Sequence, residues 1–360
     1  MPGGALLSRL HPHQPARDHL LRRAAMGVPS FGVVGVGALG RHHARVARDL
    51  DGVTCAGVFD TDAGRATAVG TELGVCVRSS LADLLDATDA VVVAVPTTFH
   101  ERVALEAIRA GVHVFVEKPM AADTDAADRM ITEAGRAGVV LQVGHVERFN
   151  PALVAARPYL GRPLFVESHR LAPFTPRSLD VAVVLDLMIH DVDLLCSLVG
   201  RPVTGLAAAG VPVLTRHVDI ANARLAFEGG AVANLTASRV SARRVRKLRI
   251  WQRSGYLSLD LAAGGGEFYR LREEISVLDG PVLPDGVPSP TGLASIVERI
   301  PVPGDGMEPL VAELASFRDA VLGLAPPPVT GEDGRRALEL SLAIEKQIED
   351  HVTHTRSAST

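Results

Sequence analysis

The chain has 360 residues, of which 47% are hydrophobic and 22% charged, with a formal charge of -4. That length suits two domains, each burying its own core, and the composition is that of a folded globular protein rather than a disordered or fibrous one. The weakly acidic balance gives no general attraction to nucleic acid or to an anionic membrane surface. No apolar run approaches the ~20 residues that span a bilayer, so the expected partners are small molecules.

Cys55, Cys76 and Cys196 are odd in number and far apart, as expected for small core residues in a reducing cytoplasm rather than a disulfide framework. Residues 1–28 carry Arg9, Arg17, Arg22 and Arg23 among Pro, Gly and His, without the apolar stretch of a signal peptide, and read as a disordered extension. Met26 lies just before the first strand and is an alternative start.

From Phe31 to Gly144, short apolar runs alternate with helical patterns, the signature of parallel strands joined by crossover helices. The strands expected are Phe31–Gly35, Val53–Phe59, Ala90–Val95, Val112–Glu117 and Val139–Val143, nearly continuous in apolar residues as strands covered on both faces require. After Asn150-Pro151 a long apolar helix, Ala182–Val199, is followed by extended segments at His217–Phe227, Ala231–Ser238, Arg246–Trp251 and Glu267–Val277. Pro281–Gly306 is rich in Pro and Gly and reads as a surface loop. Helical patterns at Pro309–Leu322 and Gly334–Asp350 close the chain. The fold class expected is α/β: an N-terminal Rossmann doubly wound parallel sheet (29–148), then an α+β domain with a mostly antiparallel open sheet (149–360) for catalysis, substrate and oligomerisation.

Gly35-Val36-Gly37-Ala38-Leu39-Gly40 matches G-x-G-x-x-G, directly after a strand and at the start of an amphipathic helix. The first Gly permits the tight turn, the second lets the backbone approach a pyrophosphate, and the third allows close helix–strand packing. Asp60 ends the second strand 20 residues beyond Gly40, where a carboxylate accepts from a ribose 2'-hydroxyl. It favours NAD over NADP, with Arg65 nearby softening the preference. Pro96, Thr97 and His100 follow the third strand at its carboxyl end, where such sheets bind ligands; helix capping is the plainer role for Thr97 and His100.

Glu117-Lys118-Pro119 stands at the carboxyl end of the next strand. Pro119 restricts Lys118 to extended backbone, and the lysine's place one strand after the cofactor contacts directs its ammonium to the nicotinamide. Taken alone it reads as a surface lysine. The apolar helix carries Asp186, His190 and Asp193 at i, i+4 and i+7, and buried ionisable groups must be paired or shift their pKa. A structural pair and a metal site are the alternatives; with no third ligand placed, no metal is expected.

Gly35-x-Gly37-x-x-Gly40, Glu117-Lys118-Pro119 and Asp186-x-x-x-His190, in that order, resemble the Gfo/Idh/MocA oxidoreductase family over nearly the whole chain after Met26. The resemblance implies an NAD(P)-dependent oxidoreductase acting on CH-OH donors, with Lys118 hydrogen-bonding the reacting oxygen, His190 as general acid/base and Asp186 as its electrostatic partner or a substrate ligand. It also implies a cis Lys118-Pro119 bond and counts Glu117 and Lys118 among the cofactor contacts. Within the family, the segments Gly144–Pro151, Leu187–Asp191 and Ala237–Ser241 look most like members that oxidise the 3-hydroxyl of a UDP-N-acetyl-hexosamine. Arg148 and Asn150 then become sugar or phosphate ligands, with an interdomain salt bridge the alternative for Arg148.

Seven Lys/Arg residues fall between Arg239 and Arg253, suited to a diphosphate or, alternatively, to a solvated strand with basic residues on both faces. Rival functions are a free-sugar or inositol dehydrogenase, a glycosidase working by transient oxidation, and a non-catalytic NAD or sugar sensor. An exposed sheet face in the second domain points to a homo-oligomer, dimer or tetramer.

Overall fold

The computed structural model describes residues 27–175, 181–271 and 297–358. The expected extension at 1–28 lies outside them except for Gly27 and Val28, as do residues 272–277 of the fourth extended segment and 281–296 of the expected loop. The chain divides into two compact units, one running to Gly144 and including Leu314–Gly331, the other His145–Glu313 with the chain from Glu332.

In the first unit, strands β1 (Ser30–Val34), β2 (Thr54–Phe59), β3 (Ala90–Val93), β4 (His113–Glu117) and β5 (Leu141–Gly144) form one sheet in the order β2-β1-β3-β4-β5. All neighbours are parallel. Phe31, Val33, Val91, Val92, Val114 and Phe115 are fully buried, which is why the apolar runs are nearly unbroken. The crossovers are α1 (Gly40–Asp49), α2 (Ala63–Leu73), α3 (Leu81–Asp86), α4 (His100–Arg109) and α5 (Thr124–Ala137). Asp62, Ser80 and Asp123 cap α2, α3 and α5 by accepting from Arg65, Asp83 and Ala126 amides at 3.0, 3.1 and 2.8 Å, whereas no side chain caps α1.

Late in the chain the division differs from the expectation that everything past residue 149 forms one domain. The fully buried Phe317 packs its ring 5.3 Å from Phe31 and 5.7 Å from Phe115, and the Val143 amide donates to the Val329 carbonyl at 3.1 Å. An aromatic ring that completes the first core outweighs sequence proximity to the second.

The second unit is built on an eight-stranded sheet in the order β13-β12-β11-β10-β6-β9-β8-β7. Its strands are β6 (Pro163–Leu171), β7 (Val203–Val211), β8 (Ile220–Phe227), β9 (Val232–Ser238), β10 (Val245–Gln252), β11 (Gly255–Asp260), β12 (Gly265–Leu271) and β13 (Val297–Pro303). Only β6 and β9 pair in parallel; every other neighbour is antiparallel. One face is covered by α6 (Pro151–Ala156), α7 (Ile189–Val199) and part of α9 (Gly331–Ala358), closing a core around Val166, Ile189, Leu195, Leu235, Leu248 and Ile344. Before these last residues, α8 spans Pro309–Val321.

Two expectations are corrected here. Residues 297–303, placed in a surface loop, form β13 at the sheet edge with Val302 buried; an edge strand tolerates Pro301 and Pro303 because their missing N–H groups need no further partner. The helix expected as one α-helix from Ala182 opens with a π turn, Val184–Met188, before α7.

On α9, burial and the neighbouring Glu349 push the Glu345 carboxyl up to about 7. A carboxyl whose folded pKa lies above its unfolded value costs stability as pH rises from about 4.5 to 7, and the cost is complete above that. Glu345→Gln is therefore expected to raise Tm by about 1–3 °C at pH 8, with the gain shrinking towards pH 5, measured by thermal denaturation at both pH values.

Candidate active site

The glycine turn follows β1 as its spacing requires. Gly35 adopts φ +82° and donates to the Phe59 carbonyl at 2.8 Å. A Cβ on Gly40 would sit 1.7 Å from the Gly35 carbonyl oxygen, while one on Gly37 would meet nothing within 4 Å. The first contact is the close helix–strand approach; the second is open space beside the start of an α1 that no side chain caps, with Ala38 and Leu39 exposed beside it. Backbone amides of a helix start attract an anion, so the turn fits a dinucleotide pyrophosphate.

At the end of β2, the buried Asp60 accepts from the Val36 amide and the Asp62 amide, both at 2.9 Å. Arg65 Nη1 lies 3.3 Å from Asp60 Oδ2. The carboxylate thus braces the glycine turn from below as well as standing where a ribose hydroxyl is read.

Pro96 is exposed and Thr97 half-buried at the 3-10 turn Thr97–Phe99, leaving both accessible. His100 is different: its ring is buried, with Nε2 2.9 Å from the Val95 carbonyl and Nδ1 2.9 Å from the Pro119 carbonyl. Burial lowers its pKa, opposed by those carbonyls. The expected cofactor contact is corrected to a staple between the loops after β3 and β4, because both ring nitrogens are already engaged by main chain.

The Lys118-Pro119 bond is cis, in line with the family resemblance, and Lys118 is half-buried. Glu117 points to α1, with Oε1 2.6 Å from the Nε2 of the buried His43, and its Oε2 accepts from the Lys118 amide at 3.1 Å. Burial would raise this carboxyl, but His43 and the Lys118 charge and amide hold it below the usual carboxylate range. His43, absent from the sequence reading, ties the glycine-turn helix to the lysine's own main chain; a second histidine in a helix carries no signal that would single it out.

In the second unit, Asp186 lies in the π turn and His190 in the first turn of α7, both half-buried. The third member of the expected row, Asp193, is buried and accepts from Arg148 Nε and Nη2 at 2.7 and 2.6 Å. Arg148 also reaches Asp333 at 3.5 Å. Arg148 is thus corrected from a substrate ligand to a buried salt bridge, and its partners belong to its own unit rather than to the other one. Asn150 is likewise structural: its Oδ1 caps α6 through the Ala152 amide at 3.1 Å, and its Nδ2 donates to Glu147 Oε2 and the Leu261 carbonyl at 3.0 and 2.9 Å. With every hydrogen-bonding atom of its amide occupied internally, it has little left for a ligand.

Next to His190, Asp191 accepts from Arg170 Nε and Nη2 at 2.8 and 3.0 Å, and Arg170 Nη1 donates to Glu147 Oε1 at 2.8 Å. All three are buried. Burial disfavours the Arg170 charge, and the two carboxylates more than restore it. Among the described residues no group of three or more His, Cys, Asp or Glu side chains is arranged to hold a metal ion, and no helix is long and apolar enough to cross a membrane.

A parallel sheet with an open glycine turn and an acidic brace at its carboxyl edge is the architecture of a dinucleotide-binding domain. Residues 30–145 match the oxidoreductase family with an NAD-binding Rossmann fold, and residues 154–258 match the GFO/IDH/MocA C-terminal domain. The chain is 37% identical over 319 residues to the UDP-N-acetylglucosamine 3-dehydrogenase of Acidithiobacillus ferrooxidans, covering 88% of this chain and 96% of the relative. Solved structures of that enzyme superpose with a TM-score of 0.80 over 89% of this chain and 98% of theirs. A myo-inositol 2-dehydrogenase of Thermotoga maritima is 27% identical over 339 residues, covering 89% of this chain and 96% of the relative. The chain belongs to the Gfo/Idh/MocA family and is an NAD-dependent oxidoreductase.

The glycine turn gives a test that separates folding from cofactor binding. Gly37→Ala, with room for its methyl group, is expected to keep the wild-type Tm while losing NAD affinity at least tenfold, because the methyl occupies the pyrophosphate approach. Gly40→Ala, whose methyl collides with backbone, is expected to unfold or strongly destabilise the chain. Thermal denaturation and NAD titration by fluorescence read both.

Proposed function

We propose that the chain oxidises the 3-hydroxyl of a UDP-N-acetyl-hexosamine to the 3-keto sugar nucleotide. The observation that carries this reading is the likeness to the Acidithiobacillus ferrooxidans enzyme, at 37% identity across 88% of the chain and 96% of the relative. Support at residue level comes from Lys118 at the carboxyl end of β4 and His190 just after the π turn, since π turns recur at functional sites.

Bound NAD supplies the hydride acceptor. Gly35, Gly37, Ala38, Leu39 and Gly40 hold its pyrophosphate, Asp60 its adenosine ribose, and Pro96 and Thr97 line the crevice beyond. Asp60 favours NAD over NADP by repelling a 2'-phosphate, and Arg65, lying against that carboxylate, moderates the repulsion. Lys118 Nζ donates to the reacting oxygen and stabilises the negative charge that develops there as the hydroxyl proton is withdrawn. His190 takes the hydroxyl proton on its imidazole, a base whose ordinary pKa suits reversible transfer near neutrality. Asp186 orients that imidazole or binds the sugar. Glu117 and His100 act one step back, fixing the main chain on either side of Lys118.

A homo-oligomer fits the outer sheet face, where Phe165, Trp251, Tyr256 and Tyr269 run across four strands with ring centroids 5.1, 4.8 and 5.7 Å apart. A cytoplasmic location fits three free cysteines. The second functional reading, an inositol dehydrogenase, is favoured by the full-length likeness to the Thermotoga maritima enzyme.

Incubation with NAD and a panel of UDP-sugars, free sugars and inositols, followed at the absorbance of reduced nicotinamide, decides between them. Rapid reduction with UDP-N-acetylglucosamine is expected; reduction with inositol alone establishes the second reading instead. Lys118→Ala and His190→Ala are each expected to lower kcat by 100-fold or more with NAD affinity within a few-fold of wild type. Loss of NAD binding in both would mean the roles are misassigned.

A further inference from the structure

The basic cluster of Arg239 to Arg253 is sorted by the fold into groups with different fates. Arg239 is buried and donates from Nε to Asp219 Oδ1 at 2.9 Å. Lys247 and Arg249 alternate onto the outer face of β10, where they pair with Asp260 at 2.8 Å and Glu167 at 3.4 Å. Arg243 and Arg244 are exposed in the β9–β10 turn, with no hydrogen bond or ion pair among the described residues. Arg246 faces inward, directly across from Arg170 on β6.

Like charges opposite one another on a sheet repel. Here Glu147 Oε1 sits between them, 2.8 Å from Arg170 and 3.3 Å from Arg246. That one carboxylate does not neutralise the group. Among the described residues Arg170, Arg243, Arg244 and Arg246 stand against Glu147 and Asp191, and burial together with the charges of Arg170 and Arg244 makes Arg246 less willing to hold its proton. Arg246 also lines a groove of about 730 Å³ with Glu147, Glu308, Gly264, Gly265 and Gly304, so an incoming anion has room to reach it.

The turn is fixed before any ligand arrives. Ser241 donates from its amide to the Ala172 carbonyl at 3.0 Å and from Oγ to Ser238 Oγ at 2.9 Å. At its base the Arg239 amide donates to the Asp219 carbonyl at 3.0 Å. Asp219 in turn gathers the amides of Val213, Leu214 and Thr215 at 2.7–2.8 Å; burial opposes its charge, but these amides hold the carboxyl well below the usual range. The separate chain from Arg246 through Glu147 and Arg170 ends at Asp191, the residue after His190.

We propose that Arg243, Arg244 and Arg246 form the phosphate end of the substrate subsite and take the diphosphate of a nucleoside-diphosphate sugar. This rests on the functional reading above and goes beyond it in naming the groups that separate a nucleotide sugar from a free one. Guanidinium groups match phosphate oxygens two at a time, and an uncompensated positive cluster on a braced turn spends little to order itself on binding.

The test measures binding apart from turnover. UDP and inorganic pyrophosphate are titrated calorimetrically into wild type, the double variant R243A/R244A, and R253A, which removes an exposed arginine at the far end of β10. The double variant is expected to keep the wild-type Tm and to weaken UDP and pyrophosphate by about 10- to 100-fold. Its KM for UDP-N-acetylglucosamine should rise in parallel with kcat within a few-fold, and R253A should behave as wild type. If wild type binds UDP and the double variant binds it equally well, the subsite is overturned while the dehydrogenase reading stands. Equal weakening in R253A would reduce the effect to general surface charge and also overturn it. Should wild type bind pyrophosphate through these arginines yet oxidise no nucleotide sugar, the anion site is supported and the functional reading is what fails.

Discussion

The carbonyl of Gly35 leaves no room for a side chain at Gly40, and the carboxyl edge of the first sheet is arranged around that contact. Because α1 lies so close to β1, its next turn carries His43 inward to Glu117 at 2.6 Å. Glu117 then holds the Lys118 amide, while His100 fixes the Pro119 carbonyl from the other side. A chain of short contacts therefore runs from the glycine turn to both flanks of the lysine. The same α1 has no side-chain cap, so the element that sets the lysine's main chain also leaves its first amides open to a phosphate. Seating a dinucleotide and positioning Lys118 become one structural problem with one solution.

In the second unit the organising elements are buried guanidinium groups rather than a backbone contact. Arg148, Arg170 and Arg239 each meet carboxylates in paired geometry. Removing such charges from water is costly, and the attraction recovers that cost only when the geometry is good, so these pairs contribute more to defining positions than to net stability. Their positions matter for that reason: Asp191 and Asp193 flank the helix turn after His190, and each is gripped by an arginine from outside α7. The imidazole thereby sits on a helix start that is locked from two directions, the kind of rigid support that the proposed proton transfer would need.

The parallel sheet was legible because strands buried on both faces leave unbroken apolar runs, and the glycine turn because its sterics admit almost no other residue. Strands β6, β7, β11 and β13 were not legible. Arg170 and Glu167 interrupt the apolar rhythm of β6, and only the carboxylates of Glu147 and Asp191, distant in sequence, explain how a central strand buries an arginine. Small residues dilute the signal of β7, and β13 carries prolines that only an edge position excuses. At the site, the glycines, Asp60 and Lys118 stand where the spacing put them, whereas His100, Arg148 and Asn150 turned out to be engaged by neighbouring groups. Residue type shows that a side chain is able to hydrogen-bond a ligand; it does not show whether the fold has already taken its donors.

The basic stretch of β10 makes that distinction sharpest. Read as a string, the seven cations from Arg239 to Arg253 are equivalent, and a period of two divides those in the strand between faces without saying which face matters. Pairing decides: on the outer face each cation in the strand finds a carboxylate across the sheet, as Lys247 does with Asp260, and this is how a solvated strand is expected to look. On the inner face and in the turn the carboxylates among the described residues run short, and Glu147 is shared between two arginines. A protein that is acidic overall and yet concentrates, among its described residues, more arginines than carboxylates at this turn has placed them against the trend of its own composition. Such an excess is most simply balanced by an anion from outside the chain, which is what the proposed diphosphate subsite would supply.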